Sequence, residues 1–257
     1  IKKDVFALIL HKLGDVCVNQ TDSIIISSFI SVTIVGLVSN YKLVITSVLG
    51  FVNIIFNSVA ASIGNLVATE NKERQEEIFD IYNFVGFWIY GFSCCCFFAL
   101  FQPFISLWIG ADKRIDNLSL ILLVIDQYIV GQRIVINNMK VAGGIFEQDK
   151  YVALIQAVVN LFVSLLCVKL LGLPGIYLGT IIAGMVPFIF KPIVMYKYMF
   201  SKSAYKYFWK NLWYGLVVLI TSLVAYELVM RIISTLTWGR FILATFLCTI
   251  ITNGIFA

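Results

Sequence analysis

Ionisable and amide side chains recur along one face of the first predicted helix. His11, Asp15, Asn19 and Asp22 are separated by four, four and three residues, in a run that becomes strongly apolar before Tyr41. On an α-helix these spacings bring the side chains to one face. An ionisable group that faces lipid is costly, so such a face generally points to a bundle interior or a water-filled cavity. The spacing therefore predicts a helix that lines a cavity within a membrane.

A second face of this kind lies in the segment Leu118–Ala142. Asp126, Arg133 and Asn137 follow each other after seven and four residues, and Arg133 is near the middle of the segment. Together with Lys12, Arg133 predicts a cationic site for a phosphate or another anion, because the planar guanidinium binds phosphate through two hydrogen bonds. The alternative is that Arg133 is tied to one of the intramembrane aspartates and only fixes helix packing.

The helices that must position these residues are indicated by composition. The 257 residues are 60% hydrophobic and 13% charged, whereas a soluble domain is about 25% charged. This indicates an integral membrane protein, and the net charge of +5 is too small to indicate nucleic-acid binding. The cysteines include three in a row, Cys94 to Cys96, without metal-ligand spacing. We expect reduced, packed thiols and no cofactor.

Eight apolar segments are each long enough to cross a hydrocarbon core of about 30 Å. The predicted fold is an all-α, polytopic bundle of about eight transmembrane helices. Because the chain starts at Ile1 and ends within an apolar run, we expect it to be a piece of a longer protein. The predicted segments are Asp4–Ile34, Leu43–Ala68, Ile78–Leu107, Leu118–Ala142, Lys150–Leu171, Pro174–Phe200, Asn211–Ile233 and a segment from Arg240 to the end.

Basic residues are distributed unevenly between the two sides of this bundle. Lysines and arginines in the ends and alternate loops number ten on one side and five on the other. Because cytoplasmic loops are enriched in lysine and arginine, both ends of the chain are predicted to be cytoplasmic. The first group is Lys2, Lys3, Lys72, Arg74, Lys140, Lys150, Lys197, Lys202, Lys206 and Lys210, and the second is Lys113, Arg114, Lys169, Arg231 and Arg240.

Five short stretches, in order along the chain, carry a family resemblance. They resemble the Wzx-type polysaccharide (O-antigen) flippases, which belong to the MATE-like multidrug/oligosaccharidyl-lipid/polysaccharide exporter superfamily. The resemblance covers about residues 1–200 and matches the second half of such proteins, from their seventh helix onward. The stretches are Asp22–Ser27, Val35–Tyr41, Ala61–Leu66, Pro103–Gly110 and Leu173–Thr180.

The resemblance implies a particular domain organisation and function. Residues 1–200 would form the six-helix C-terminal lobe, and residues 201–257 a two-helix extension. The implied function is not enzymatic: a flippase moves lipid-diphosphate-linked oligosaccharide across the cytoplasmic membrane by alternating access, for surface polysaccharide biosynthesis. The implied partners are a polyprenyl diphosphate-linked oligosaccharide and membrane lipids, with a glycan polymerase left open and no nucleic acid.

The resemblance also suggests roles for the intramembrane residues. The cavity of such flippases is typically cationic, which gives Lys12 and Arg133, with the neighbouring amides Asn19 and Asn137, as candidates for substrate binding. The aspartates Asp15, Asp22 and Asp126 are candidates for ion coupling, as in related exporters.

Two other functions are alternatives to the flippase. One is a MATE-type, ion-coupled multidrug exporter, for which more cavity acids and efflux of organic cations are expected. The other is a membrane-embedded glycan polymerase or acyltransferase, which would need a large loop or a positioned catalytic His/Asp that the sequence does not offer.

Overall fold

The structure of the chain, a computed structural model, is almost wholly helical. It describes residues 2–233 and 235–257, except for the side chains of residues 2–5, 7, 11, 15 and 19. Within these residues the chain forms eight α-helices and no strand, which confirms the all-α bundle. They are α1 (Lys2–Phe29), α2 (Val32–Thr69), α3 (Lys72–Trp108), α4 (Asn117–Ala142), α5 (Val152–Leu171), α6 (Leu173–Met195), α7 (Tyr205–Ile232) and α8 (Trp238–Phe256).

Seven of the described helices, α2 to α8, are long and apolar enough to cross a membrane. The chain is therefore a multi-pass membrane protein. Helices α2 and α3 have 38 and 37 residues, or about 55 Å at a rise of about 1.5 Å per residue. Because a hydrocarbon core measures only about 30 Å, the charged turn that joins these two helices projects beyond it.

The boundary between α1 and α2 differs from the predicted one. The first segment was expected to continue to Ile34 and the second to start at Leu43, but α2 already begins at Val32. Helix α1 ends at Phe29, and Ser31 caps α2, because its hydroxyl accepts a hydrogen bond from the Ile34 amide at 3.2 Å. The polar residues that suggested a loop lie within α2, where Ser39 and Asn40 donate hydrogen bonds to backbone carbonyls one turn earlier.

Other helix ends follow local sequence signals. Asn71 caps α3 and Asp116 caps α4, each by accepting a hydrogen bond from a backbone amide three residues later, at 2.9 and 2.8 Å. Helix α4 ends at Ala142, as predicted; Gly143 is its C-cap residue, and the following Gly144 has φ 66°. The α5–α6 connection turns at Gly172, whose φ of 64° suits glycine.

Small residues bring α5 and α6 into close contact. Gly175 and Gly179 form a GxxxG pattern on α6, which permits close approach of two helix backbones. A Cβ atom at Gly179 would lie 2.3 Å from Ser164 Oγ and 2.8 Å from Ser164 Cα on α5, and one at Gly175 would lie 2.2 Å from the Cys167 carbonyl oxygen. This tight α5–α6 pair packs against α1 and α4.

Helices α7 and α8 pack on the other side of the bundle, against α3 and each other. Their contact with α3 is largely apolar and aromatic: the rings of Phe87 and Tyr214 stack with centroids 4.1 Å apart. Close approach is again helped by a glycine, because a Cβ atom at Gly91 would lie 2.8 Å from Val218 Cγ2.

The two ends of the bundle can be distinguished by their contacts. The turns at residues 70–71, 143–151 and 201–204 lie together at what we call the basic end. There Lys72 donates a hydrogen bond to Ser201 at 2.8 Å, Lys202 pairs with Glu76, and Lys140 forms a buried ion pair with Asp149. The turns at residues 30–31 and 109–116 lie at the opposite end.

Candidate functional site: a polar cavity within the helix bundle

A cavity of about 650 Å³ lies among the first six helices. Its size is within the range of about 300–1,000 Å³ that is typical of small-ligand sites. Its polar lining comes from α1 (Gln20, Asp22, Ser23), α2 (Lys42, Thr46, Asn53), α3 (Tyr90), α4 (Asp126, Gln127, Arg133, Asn137), α5 (Gln156) and α6 (Tyr177, Thr180, Lys191). Three cationic and two acidic side chains therefore meet in one space inside a membrane protein, where charges are rare and usually functional.

The charges are divided along the axis of the bundle. Helices α4 and α6 both run from the opposite end toward the basic end. Arg133 follows Asp126 by seven residues on α4, and Lys191 follows Thr180 by eleven residues on α6, or about 10 and 16 Å along the helix axes. The two aspartates therefore lie toward the opposite end, in what we call the acidic half, where Lys42 of α2 is near enough to attract both of them. Arg133 and Lys191 lie toward the basic end, in what we call the cationic half.

Asp22 in the acidic half is held by a hydrogen-bond network from two other helices. The Thr180 hydroxyl of α6 donates to the carboxylate, with Oγ1 3.1 and 3.2 Å from the two oxygens, and also lies 3.0 Å from the Ile176 carbonyl oxygen. Asn160 Nδ2 of α5 donates to Thr180 Oγ1 at 3.1 Å. Asp22 is 7% exposed, so these donors offset part of the cost of burying its carboxylate.

Asp126 is the second buried acid, on α4. Its carboxylate accepts a hydrogen bond from Gln127 at 3.1 Å. Lys42 and Arg133 are near enough to attract it, and Asp22 near enough to repel it. Arg133 therefore lines the cavity and also interacts with an intramembrane aspartate.

The cationic half is built by α4 and α6. Lys191 Nζ donates a hydrogen bond to Asn137 Oδ1 at 2.9 Å, which leaves the Asn137 amide nitrogen as a donor beside the cavity. Arg133 lies one helical turn before Asn137 on α4. Lys191 stands between Pro187 and Pro192, two prolines that each remove a backbone hydrogen bond from this part of α6.

Helix α2 forms another wall of the cavity. Lys42, Thr46 and Asn53 line it at spacings of four and seven residues, which is one helix face. The Tyr90 hydroxyl of α3 donates to Asn53 Oδ1 at 2.8 Å and so fixes the amide.

Toward the opposite end, α2 and α3 are tied together by a polar contact. The Tyr41 hydroxyl accepts a hydrogen bond from the Ile115 amide at 3.2 Å and donates to Gln102 Oε1 at 2.9 Å. Gln102 Nε2 in turn donates to the Ile115 carbonyl at 2.9 Å. This network joins the two helices to the turn at residues 109–116.

The structure brings four of the seven predicted site residues together. Asp22, Asp126, Arg133 and Asn137 all line the cavity. Lys12 is exposed and is outside the lining. The side chains of Asp15 and Asn19 are outside the described residues.

Two cationic lining residues were not predicted as site residues, for identifiable reasons. Lys42 was placed at the edge of a segment, because α2 was expected to begin after it. Lys191 lies between Pro187 and Pro192, which in the sequence indicate a bent helix rather than a binding site. The signal that could have found Lys42 is its spacing to Thr46 and Asn53.

The polar residues of α5 divide between two roles. Gln156 lines the cavity, whereas Asn160 and Ser164 hydrogen-bond to α6, Ser164 through its hydroxyl to the Ile176 carbonyl at 3.4 Å. Among the described residues, no group of three or more His, Cys, Asp or Glu side chains could hold a metal ion.

The fold and the cavity together define a multi-pass helical membrane protein with a charged internal site. Comparison of the chain with models of known families, with curated proteins and with solved structures finds no match.

Proposed function

We propose that this chain is part of a transporter that moves a lipid-diphosphate-linked oligosaccharide across the cytoplasmic membrane by alternating access. The observation that carries the proposal is the cationic half of the cavity, where Arg133 and Lys191 flank Asn137. A diphosphate is bound by cations and amide donors, and arginine suits it through bidentate hydrogen bonds. The resemblance of five sequence stretches to Wzx-type flippases supports the same substrate class.

The remaining lining suits the sugar part of such a substrate. Gln20, Asn53, Gln127 and Gln156 present amides to the cavity, and an amide offers both donors and an acceptor to a hydroxyl-rich ligand. The positive-inside rule supports a cytoplasmic location for the basic end. The cationic half of the cavity would then face the side on which a lipid-linked oligosaccharide is assembled.

A binding measurement tests the proposal. The purified chain is titrated with a polyprenyl diphosphate in detergent, and the variants Arg133→Ala and Lys191→Ala are compared with Lys169→Ala, which removes an exposed lysine outside the cavity. We expect each cavity variant to weaken binding at least tenfold, or about 1.4 kcal/mol, and the control variant to bind normally. Equal binding by all four proteins would exclude the cationic half as the diphosphate site.

The acidic half supports a second candidate function, an ion-coupled exporter of organic cations. Asp22 and Asp126 are both buried and both line the cavity, and a carboxylate is the natural partner of a cation. The two functions differ in the variant that abolishes activity. Efflux of an organic cation that depends on Asp22 and not on Arg133 would favour the exporter.

A further inference from the structure

A second cavity lies at the basic end, where the chain passes from α6 to α7. After α6 the backbone makes a π-helical turn, Tyr196–Phe200, and then Ser201 adopts a left-handed conformation with φ 56°. This elbow is fixed to α3, because Phe79 packs against the rings of Tyr196 and Phe200 with centroids 5.8 and 5.9 Å away. The cavity measures about 460 Å³, and we call it the elbow pocket. It is lined by Ile193, Lys197, Lys202, Ser203, Ala204, Tyr205 and Phe208.

The elbow pocket carries positive charge that α3 only partly compensates. Residues 197–210 contain four lysines and no aspartate or glutamate. Two of these lysines pair with acids of α3: Lys202 with Glu76, and Lys210 with Asp80 at 3.5 Å. Glu76 also holds the pKa of Lys202 above its usual value, through the hydrogen bond between them, so Lys202 stays protonated.

The other two lysines of this stretch remain available to a ligand. Among the described residues, neither Lys197 nor Lys206 has a carboxylate partner. Lys197 lines the pocket, with Nζ 5.6 Å from the ring centroid of Tyr198. Lys206 is exposed next to the lining residue Tyr205. The mouth of the pocket is therefore suited to an anion.

Apolar stripes lead from the elbow toward the middle of both helices. On α6, Ile193, Ile189 and Ile182 are about two-fifths exposed at spacings of four and seven residues, which is one helix face. On α7, exposed leucines at positions 212, 216 and 219 continue in the same direction. These stripes face the hydrocarbon region of a bilayer.

Exposed aromatic residues indicate the depth of the elbow in the membrane. Tyr205, Trp209 and Trp213 are 71%, 54% and 56% exposed and lie in the first turns of α7. Tyrosine and tryptophan are enriched where the hydrocarbon core meets the headgroups. The pocket therefore sits at headgroup level, with the apolar stripes below it.

We propose that the elbow pocket binds one anionic glycerophospholipid, with its phosphate at Lys197 and Lys206 and its acyl chains along the stripes of α6 and α7. The lysines select negative charge, in the way that basic clusters beside membrane helices recognise anionic lipids. The stripes select a lipid over a free phosphate ester. This site is separate from the central cavity and does not depend on the transport proposal.

Lipid retention in native mass spectrometry tests the proposal on the purified full chain. The protein is titrated in detergent with phosphatidylglycerol, and separately with phosphatidylethanolamine. The double variant Lys197→Gln/Lys206→Gln is compared with Arg74→Gln/Lys150→Gln, which removes the same charge from the basic end outside the pocket. We expect one tightly held phosphatidylglycerol, bound about tenfold more weakly by the first double variant and unchanged in the second.

Two further measurements distinguish the contribution of the lipid headgroup to binding from that of the acyl chains. Glycerol 3-phosphate, which carries the charge without acyl chains, is expected not to displace the bound lipid. The variant Ile193→Ser is expected to weaken lipid retention while the lysines remain. The proposal is overturned if phosphatidylethanolamine binds as tightly as phosphatidylglycerol, if both double variants bind equally, or if glycerol 3-phosphate displaces the lipid.

Discussion

Networks of polar residues that join several helices are concentrated in one part of this bundle. In α1–α6 some polar residues bond only the backbone of their own helix, as Ser39 does, but Asp22, Thr180 and Asn160 bridge three helices beside the cavity. In α7 and α8 the polar residues mostly bond the backbone of their own helix: Thr249 donates to Thr245, and Asn211 to Tyr207. The comparison shows that polarity within a membrane helix does not by itself indicate a site. What distinguishes the cavity is that polar groups from several helices converge on it.

The largest expected effect comes from substitution of a glycine at the contact between α5 and α6. Gly179→Ala would place Cβ against the backbone of α5, 2.7 Å from the Ser164 nitrogen. Because the backbone cannot move aside without separating α5 from α6, we expect the variant to lose about 3 kcal/mol of unfolding free energy. Thermal unfolding in detergent measures the loss.

The matched control for this substitution is Gly50→Ala on α2, where nothing lies within 4 Å of the added Cβ. It should be neutral or stabilising by up to about 1 kcal/mol, because alanine has the higher helix propensity. Equal stability of the two variants would contradict the close contact between α5 and α6.

Two buried threonines test the hydrogen bonds. Thr180→Val removes the hydroxyl that donates to Asp22 and accepts from Asn160, so we expect a loss of about 2 kcal/mol. Thr221→Val on α7 removes a buried hydroxyl without a hydrogen-bond partner among the described residues, and we expect no loss. Denaturant or thermal unfolding measures the loss of stability in both variants. A larger loss for Thr221→Val than for Thr180→Val would contradict the stabilising role of the hydrogen bonds at the cavity.

Gly91→Ala should have the smallest effect of the substitutions that create a close contact. Its Cβ would meet side chains, Val218 Cγ2 at 2.8 Å and the ring of Phe256 at 3.1 Å, and side chains can rotate away. With the helix-propensity gain of alanine, we expect the melting temperature to stay within about 3 °C of wild type. A loss as large as that of Gly179→Ala would show that α7 and α8 pack as rigidly as α5 and α6.

The sequence predicted the helices more accurately than the residues at which they end. It predicted part of the cavity lining but not all of its residues. Long apolar runs predicted α2 to α8, because the length required to cross a bilayer is a strong signal. Helix α1 is present as predicted, but it is not among the seven described helices that are long and apolar enough to cross a membrane. The α1–α2 boundary was wrong, because Ser31 is a weak signal and the polar stretch Ser39 to Lys42 resembles a loop. Because of that error, Lys42 was not predicted as a residue that lines the cavity.

Periodicity identified Asp126, Arg133 and Asn137, because they share one helix face. Their juxtaposition with Asp22 and Lys191 could not be predicted, because it depends on which helices are neighbours. The pair Gly175 and Gly179 is a packing signal of this kind in the sequence, and the structure places it on α6 at the contact with α5.

Helices α1–α6 enclose a polar cavity, and we expect this cavity to be accessible to water. This expectation is tested most directly by labelling Ile134→Cys, a cavity-lining position between Arg133 and Asn137, with a membrane-impermeant maleimide in a variant without native cysteines. The matched control is Leu219→Cys on α7, which is 55% exposed but faces lipid in our account. We predict rapid labelling at position 134 and none at position 219. Labelling at 219 but not at 134 would contradict the account.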